Sequence, residues 1–275
     1  MSDQIKIVYS LYNPTGNVTC LVETFVPTES QPIVAKFIMN HESSVQQVGF
    51  VSLLDDGIAL RMAGGEFCGN AAMCAAVHYL QHVHPELEEG KVNVYFPGIS
   101  DIVDPVVVEV SQQTDETWEG CVSMPLPLSI NFERLSFGAK VPVVRFPGIV
   151  HVLMDYDSLK IDKNMSIGYF KDMAVDLGKK YKSSLGLIFY KLEDLLVQPL
   201  VYVPAVDSAI LESSCASGVA AIGAFQAERL QQPVDYTFYF QNTAPLTVHA
   251  VHDVELQLTG KLEVKKTSVP IPFLL

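Results

Sequence analysis

The chain has 275 residues, 49% of them hydrophobic and 18% charged, and its 18 basic and 31 acidic side chains leave a net charge of −13. That apolar share supports a large buried core and excludes a disordered chain, and the length suits one large domain or two of ordinary size. The acidic excess repels polyanions, so nucleic acid and anionic membranes are not expected partners, whereas a small zwitterion answers only to its local site.

Residues 1–10 lack the basic stretch and long apolar run of a signal peptide. No apolar run approaches the roughly 20 residues that span a bilayer. Strands are predicted at residues 5–9, at 17–26, at 45–54 and at 58–62, with a short helix over 31–41. A glycine-rich turn, Ala63-Gly64-Gly65-Glu66-Phe67-Cys68-Gly69-Asn70, then opens onto a helix of small side chains beginning Ala71-Ala72-Met73-Cys74. Strands resume at 91–96, 106–110 and 119–124, and Pro125 and Pro127 mark a crossing between two halves. The second half repeats the scheme. Strands are expected at 141–146 and 151–154, an amphipathic helix near 164–182, and strands at 185–190 and 200–203. Ser213-Ser214-Cys215-Ala216-Ser217-Gly218 then leads into another small-residue helix over 219–225, and strands near 237–241, 246–251 and 255–264 close the chain.

The informative feature is a long-range echo. Cys-Gly-Asn-Ala-Ala-Met-Cys-Ala-Ala from Cys68 resembles Cys-Ala-Ser-Gly-Val-Ala-Ala-Ile-Gly from Cys215. Each places a cysteine at the start of a small, apolar helix that strands can approach on all sides. The reading is two similar α/β halves, each offering one thiol at a helix N-terminus.

Such a thiol is useful in two ways. Unpaired N–H groups at a helix start favour the thiolate, which lowers a cysteine from its usual ~8.5, and they can also bind a carboxylate. Inverting an α-carbon needs a base on one face and an acid on the other, and a near-symmetric thiol pair supplies both. The developing enediolate then requires N–H donors aimed at the carboxylate. No convincing phosphate-binding glycine loop calls for pyridoxal phosphate, so no cofactor is expected.

Cys20, Cys74 and Cys121 read as small buried hydrophobes. Cys74 lies six positions after Cys68, about 240° around the helix, and cannot share its face. The odd, scattered set of five cysteines suits reduced thiols in a cytoplasmic protein. They lack metal-ligand spacing and no metal is expected; His78, His82 and His84 read as solvated residues near a helix end.

At these residues the sequence resembles a known family. Phe67-Cys68-Gly69-Asn70-Ala71 is similar to the Cys-Gly-Asn-Gly segment of diaminopimelate epimerases, and Ser214-Cys215-Ala216-Ser217-Gly218 to their Ala-Cys-Gly-Thr-Gly segment. Tyr12-Asn13-Pro14-Thr15-Gly16-Asn17 resembles their N-terminal Gly-Asn segment. The best match is the histidine racemase branch, which supplies D-histidine for nicotianamine-like metallophores. The resemblance implies an α/β (α+β) fold of two pseudo-symmetric domains, each a mostly antiparallel sheet wrapped around a central helix, with the active site in the cleft between them. It implies one half formed by residues 1–124 with about 263–275, and another by 125–262. It implies a cofactor-independent amino-acid racemase acting on histidine, with Cys68 and Cys215 as the acid–base pair, and a homodimer. It also points to His151 and Glu212 as supporting acid–base residues, and to Asn17, Gly69, Asn70, Ala216, Ser217 and Gly218 around the substrate.

The departures bear on substrate. Diaminopimelate epimerases carry a Glu-Arg pair before the second cysteine, whereas Glu212 is followed here by Ser213 and Ser214. Without that arginine the distal carboxylate of diaminopimelate loses its partner, so diaminopimelate is not the expected substrate. Gly65 and Ala216 stand where the histidine-racemase pattern has asparagine and glycine, and Gln46-Gln47 where some relatives have an acidic residue. The alternatives are a racemase or epimerase of proline, hydroxyproline or another amino acid, and a non-catalytic amino-acid-binding or thiol-redox protein.

Overall fold

The computed structural model describes residues 4–159, 166–241 and 243–274. Among the described residues there are four α-helices: α1 (Gln31–His41), α2 (Gly69–Val83), α3 (Ile167–Tyr181) and α4 (Ala216–Leu230). Ten strands form one sheet in the order Gln4–Pro14, Thr19–Val22, Gln47–Leu54, Gly57–Met62, Glu89–Tyr95, Val106–Gln112, Thr117–Ser123, Glu255–Leu274, Leu246–Val251 and Val234–Phe238. Six form the other, in the order Ser208–Leu211, Leu196–Val203, Ser184–Lys191, Ile149–Asp155, Lys140–Phe146 and Ser129–Arg134. Most pairings are antiparallel.

The strand Glu255–Leu274 organises the molecule. Its first half pairs with Thr117–Ser123 and Leu246–Val251, and its second half with Gln4–Pro14. The first seven strands and this long one therefore close around α2. Every residue of that helix from Gly69 to Leu80 is buried, which only a run such as Ala71-Ala72-Met73-Cys74-Ala75-Ala76 permits, because larger side chains would hold the surrounding strands away. Gly120 serves the same close approach: a Cβ there would stand 2.8 Å from Met73 Cγ. Helix α4 is buried in the same way among Leu246–Val251, Val234–Phe238 and the six-stranded sheet. α3 begins on a Ser166 cap and packs Phe170, Met173 and Ala174 against the other face of that sheet.

The predicted core elements stand, and the differences lie at edges. The strand expected at 17–26 shortens to Thr19–Val22, and the one at 237–241 moves to Val234–Phe238. Ser129–Arg134 and Ser208–Leu211 are short edge strands with mostly exposed or half-buried residues, so neither shows the alternation that marks a buried face. The final strand runs on to Leu274 through Pro270 and Pro272, which its edge position tolerates because that stretch pairs only with Gln4–Pro14. Residue 164, where the third helix was expected to begin, lies outside the described residues. Cys20 and Cys74 are buried as expected, whereas Cys121 is half-buried on the outward side of its strand.

His78 also departs from expectation. It is 2% exposed rather than solvated, because α2 is enclosed along most of its length, and its Nδ1 lies 3.0 Å from the Tyr12 hydroxyl. Glu23 and His82 gather beside it. The Ser10 and Ser268 hydroxyls donate to Glu23 at 2.6 and 2.9 Å, and His82 Nδ1 meets the His78 carbonyl at 2.8 Å, so protein groups satisfy this cluster.

Candidate active site

The two echoing cysteines hold equivalent places. Cys68 is the N-cap of α2 with φ −136° and ψ 112°, and Cys215 the N-cap of α4 with φ −143° and ψ 106°. Both are extended residues that turn the chain into a helix whose first N–H groups have no intrahelical partner. The helix starts converge: a Cβ on Gly69 would lie 3.0 Å from the Ala216 methyl and 3.1 Å from the Met124 sulfur. Gly69→Ala is therefore expected to overpack this junction, costing about 1–3 kcal/mol of stability, readable as a lowered thermal midpoint and reduced activity. The extra methyl of Ala216 thus faces Gly69, which has none.

Both thiols line one pocket, shared with Asn17, Gln46, Gln47, Glu66, Asn70, Glu212 and Ser217, and its apolar lining includes Val201, Val203, Val206 and Ile210. Asn17 ties the halves together. Its amide donates to Glu212 Oε2 at 3.2 Å and to the Ser214 carbonyl at 2.9 Å. Asn70 donates to Ser214 Oγ at 3.3 Å. The Oδ1 atoms of both asparagines are buried without a partner among the described residues.

The surroundings of the two thiols differ. Cys68 accepts the Ala71 N–H at 3.5 Å and donates to Gln47 Oε1 at 3.1 Å, while the Gln47 amide is fixed on Thr19 Oγ1 at 2.6 Å. Cys215 lies 3.6 Å from Ser217 Oγ, which is 2.9 Å from His151 Nε2. His151 thus reaches Cys215 only through Ser217. It is wholly enclosed, facing Gly186 where a Cβ would come within 2.4 Å of Nδ1, and burial lowers it to about 3, so it is neutral.

The thiols move opposite to expectation. Burial pushes Cys215 up to about 12, helped by the charge of Glu212 and opposed by the Ser217 hydroxyl and the N–H groups of Ser217 and Gly218. Burial likewise holds Cys68 well above its ordinary value against the Ala71 N–H, with Glu212, Cys215 and Glu66 adding to the rise. A helix terminus contributes at most about 2 kcal/mol, whereas full burial shifts a group by up to several pKa units, so burial wins. The carboxyls rise too: Glu66 to about 7, chiefly by burial, and Glu212 to about 8 by burial and then the charge of Glu66.

Stability follows from these shifts. A carboxyl raised in the folded state contributes stability that is fully present below its unfolded value of 4.5 and is lost as pH rises through its folded value. Between pH 6.5 and 8.5 the lowered histidines are neutral in the folded state and lose their remaining unfolded-state charge just above pH 6.5, an opposing effect smaller than that of the carboxyls, so the carboxyls decide the slope. Thermal unfolding is expected to shift down by about 5 °C across that window, from about 2 kcal/mol of lost stability. Glu66→Gln combined with Glu212→Gln should flatten the dependence; a wild-type midpoint that is level or rising would contradict the assignment.

Gln46 and Gln47, a departure that the sequence marks as bearing on substrate, both line the pocket, and Glu66 is a pocket residue that sequence reasoning did not select. The available signal was Glu66 itself, the only charged residue in the turn over 63–70, before a helix that is apolar from Ala71 to Val77.

The fold is shared with solved structures of a racemase and an epimerase. A probable proline racemase from Agrobacterium radiobacter K84 superposes with a TM-score of 0.69 at 12% identity, covering 94% of this chain and 91% of that one. A hydroxyproline epimerase from Agrobacterium vitis superposes with a TM-score of 0.64 at 11% identity, covering 100% and 94%. Sequence relatives narrow the class. The family described as "Histidine racemase CntK N-terminal domain" matches residues 6–265. A histidine racemase from Fusobacterium nucleatum is 32% identical over 230 residues, 80% of each chain, and one from Staphylococcus aureus is 31% identical over 229, 80% of this chain and 79% of that one. The chain belongs to the histidine racemase family, and it is an isomerase. No helix among the described residues is long and apolar enough to cross a membrane.

Proposed function

We propose that the chain interconverts L- and D-histidine, with Cys68 and Cys215 acting on opposite faces of the α-carbon and no added cofactor. The observation that carries this reading is the pair of cysteines capping two convergent buried helices on one pocket. Cys215, beside Glu212, is the first base: its proton passes to the Glu212 carboxylate, and its thiolate then takes the α-proton. The C–H electron pair moves into the carboxylate as an enediolate, met by N–H groups around Gly69, Asn70, Ala216, Ser217 and Gly218. Cys68, whose thiol donates to Gln47, gives its proton to the opposite face and becomes the thiolate for the reverse reaction. Asn17 orients Glu212, and His151 holds the Ser217 hydroxyl near Cys215. The halves 1–124 with 263–275, and 125–262, are the two lobes around the substrate. Five free cysteines support a reducing compartment, the cytoplasm.

The test is incubation of purified, reduced protein with each L-amino acid in D₂O, followed by NMR of the α-proton and chiral chromatography. Exchange with inversion of histidine is the expected result. Inversion of another amino acid instead would replace the substrate, and no exchange with any would remove the reading.

A further inference from the structure

Glu66 sits two residues before Cys68, yet the chemistry above does not use it. Its side chain is only 8% exposed, lines the pocket with both thiols, and carries an oxygen, Oε2, with no hydrogen-bond donor among the described residues. Packing fixes it there: a Cβ on Gly64 would stand 2.2 Å from Oε2 and 2.5 Å from a Val203 methyl, so the carboxylate fills the space that glycine leaves against the apolar wall. Arg61 does not close the gap, because its guanidinium is bonded to Gln31 Oε1 at 3.1 Å and the Pro97 carbonyl at 3.3 Å. No lysine, arginine or histidine is among the described pocket residues.

A buried carboxylate oxygen without a donor is costly, and a pocket retains one where its ligand brings the donor. The thiols bond to Gln47, Ala71 and Ser217, and Glu66 has no hydrogen bond to either. The helix starts supply donors for the α-carboxylate and Glu212 stands beside Cys215, which leaves Glu66 to meet the remainder of the substrate. We propose that Glu66 is the specificity-determining residue that accepts an N–H from a basic side-chain ring such as imidazole, while the aliphatic wall of Val201, Val203 and Val206 packs on the ring. This rests on the amino-acid racemase reading and assigns how its pocket selects among amino acids. Acidic side chains are rejected by the same carboxylate.

Two measurements on the full-length protein separate this inference from the reading beneath it. Racemisation of histidine by the wild type tests the reading alone. Calorimetric binding of 3-(imidazol-4-yl)propionate and 3-phenylpropionate, which share a carboxylate and lack the α-ammonium, tests the inference. The wild type should bind the imidazole compound roughly 10–100-fold more tightly, the range of one charge-assisted hydrogen bond. Glu66→Gln should remove that preference, and its loss in histidine turnover should fall on KM more than on kcat. Equal or undetectable binding of the two compounds by the wild type overturns the proposal, as does a preference that survives in Glu66→Gln. A loss in kcat at constant KM would instead place Glu66 in proton transfer and overturn it as well. Should Glu66→Gln fail to fold, the wild-type comparison still decides.

Discussion

Cys68→Ser and Cys215→Ser are each expected to stop racemisation, with kcat/KM falling roughly 10²–10⁴-fold, the usual contribution of a positioned acid or base. A hydroxyl is far too weak an acid to become the anion that takes an α-proton at neutral pH, whereas a thiol with a nearby acceptor is not. The fold should survive both changes. Each cysteine is an N-cap, where serine is itself favoured, and the side chains differ little in size. Circular dichroism and thermal melting check this. L- and D-amino acids are equally stable, so the equilibrium constant is one, and each variant must lose the same kcat/KM in both directions. The variants are expected to differ in solvent exchange. With one thiol left, a proton can be taken from and returned to a single face, so residual deuterium exchange is confined to one enantiomer, and to opposite enantiomers in the two variants. Exchange of both enantiomers by either variant, or racemisation kept at a tenth of wild type, would rule out a base on each face.

What could be read from the sequence follows from how local each feature is. The cysteines, their helices and the two-half scheme are local: a Cys before a run such as Ala71-Ala72 or Ala220-Ala221 marks a helix with no polar face, hence an enclosed one. The closure around α2 is not local. It depends on a single strand, Glu255–Leu274, changing partners midway, and Pro270 and Pro272 hide its second half from any propensity argument. The sign of the thiol shift was hidden for a related reason. The helix N-terminus is visible in sequence, but the larger effect of burial comes from walls supplied by distant segments, including Val201–Ile210 and Gln46–Val48. His151 and Ser217 are far apart in sequence, and only the pairing of Ile149–Asp155 with Ser184–Lys191 beside α4 brings the imidazole to that hydroxyl.

Glu212→Gln should reveal where the first proton goes. The carboxyl is held at about 8 by burial and by the charge of Glu66, against hydrogen bonds from Asn17 and Cys215. The neighbouring Cys215 thiol, at about 12, is almost wholly protonated at neutral pH and needs an acceptor. Below pH 8 the carboxyl carries its proton and cannot take another; above it, the carboxylate can. Wild-type kcat/KM is therefore expected to rise through a limb near pH 8 and then level. Glutamine keeps the size of the side chain and can still accept from Asn17, but it cannot accept the thiol proton. The variant should lose roughly 10²-fold or more at pH 8, and its remaining activity should climb without levelling towards pH 10, because only solvent base then ionises Cys215. A variant profile that parallels the wild type would make Glu212 a structural residue. The same ionisation acts in opposite senses on the two properties of the protein. It removes the stability that the neutral carboxyl confers on the folded state, and it creates the acceptor that the chemistry needs, so activity should increase over the pH interval in which the fold weakens.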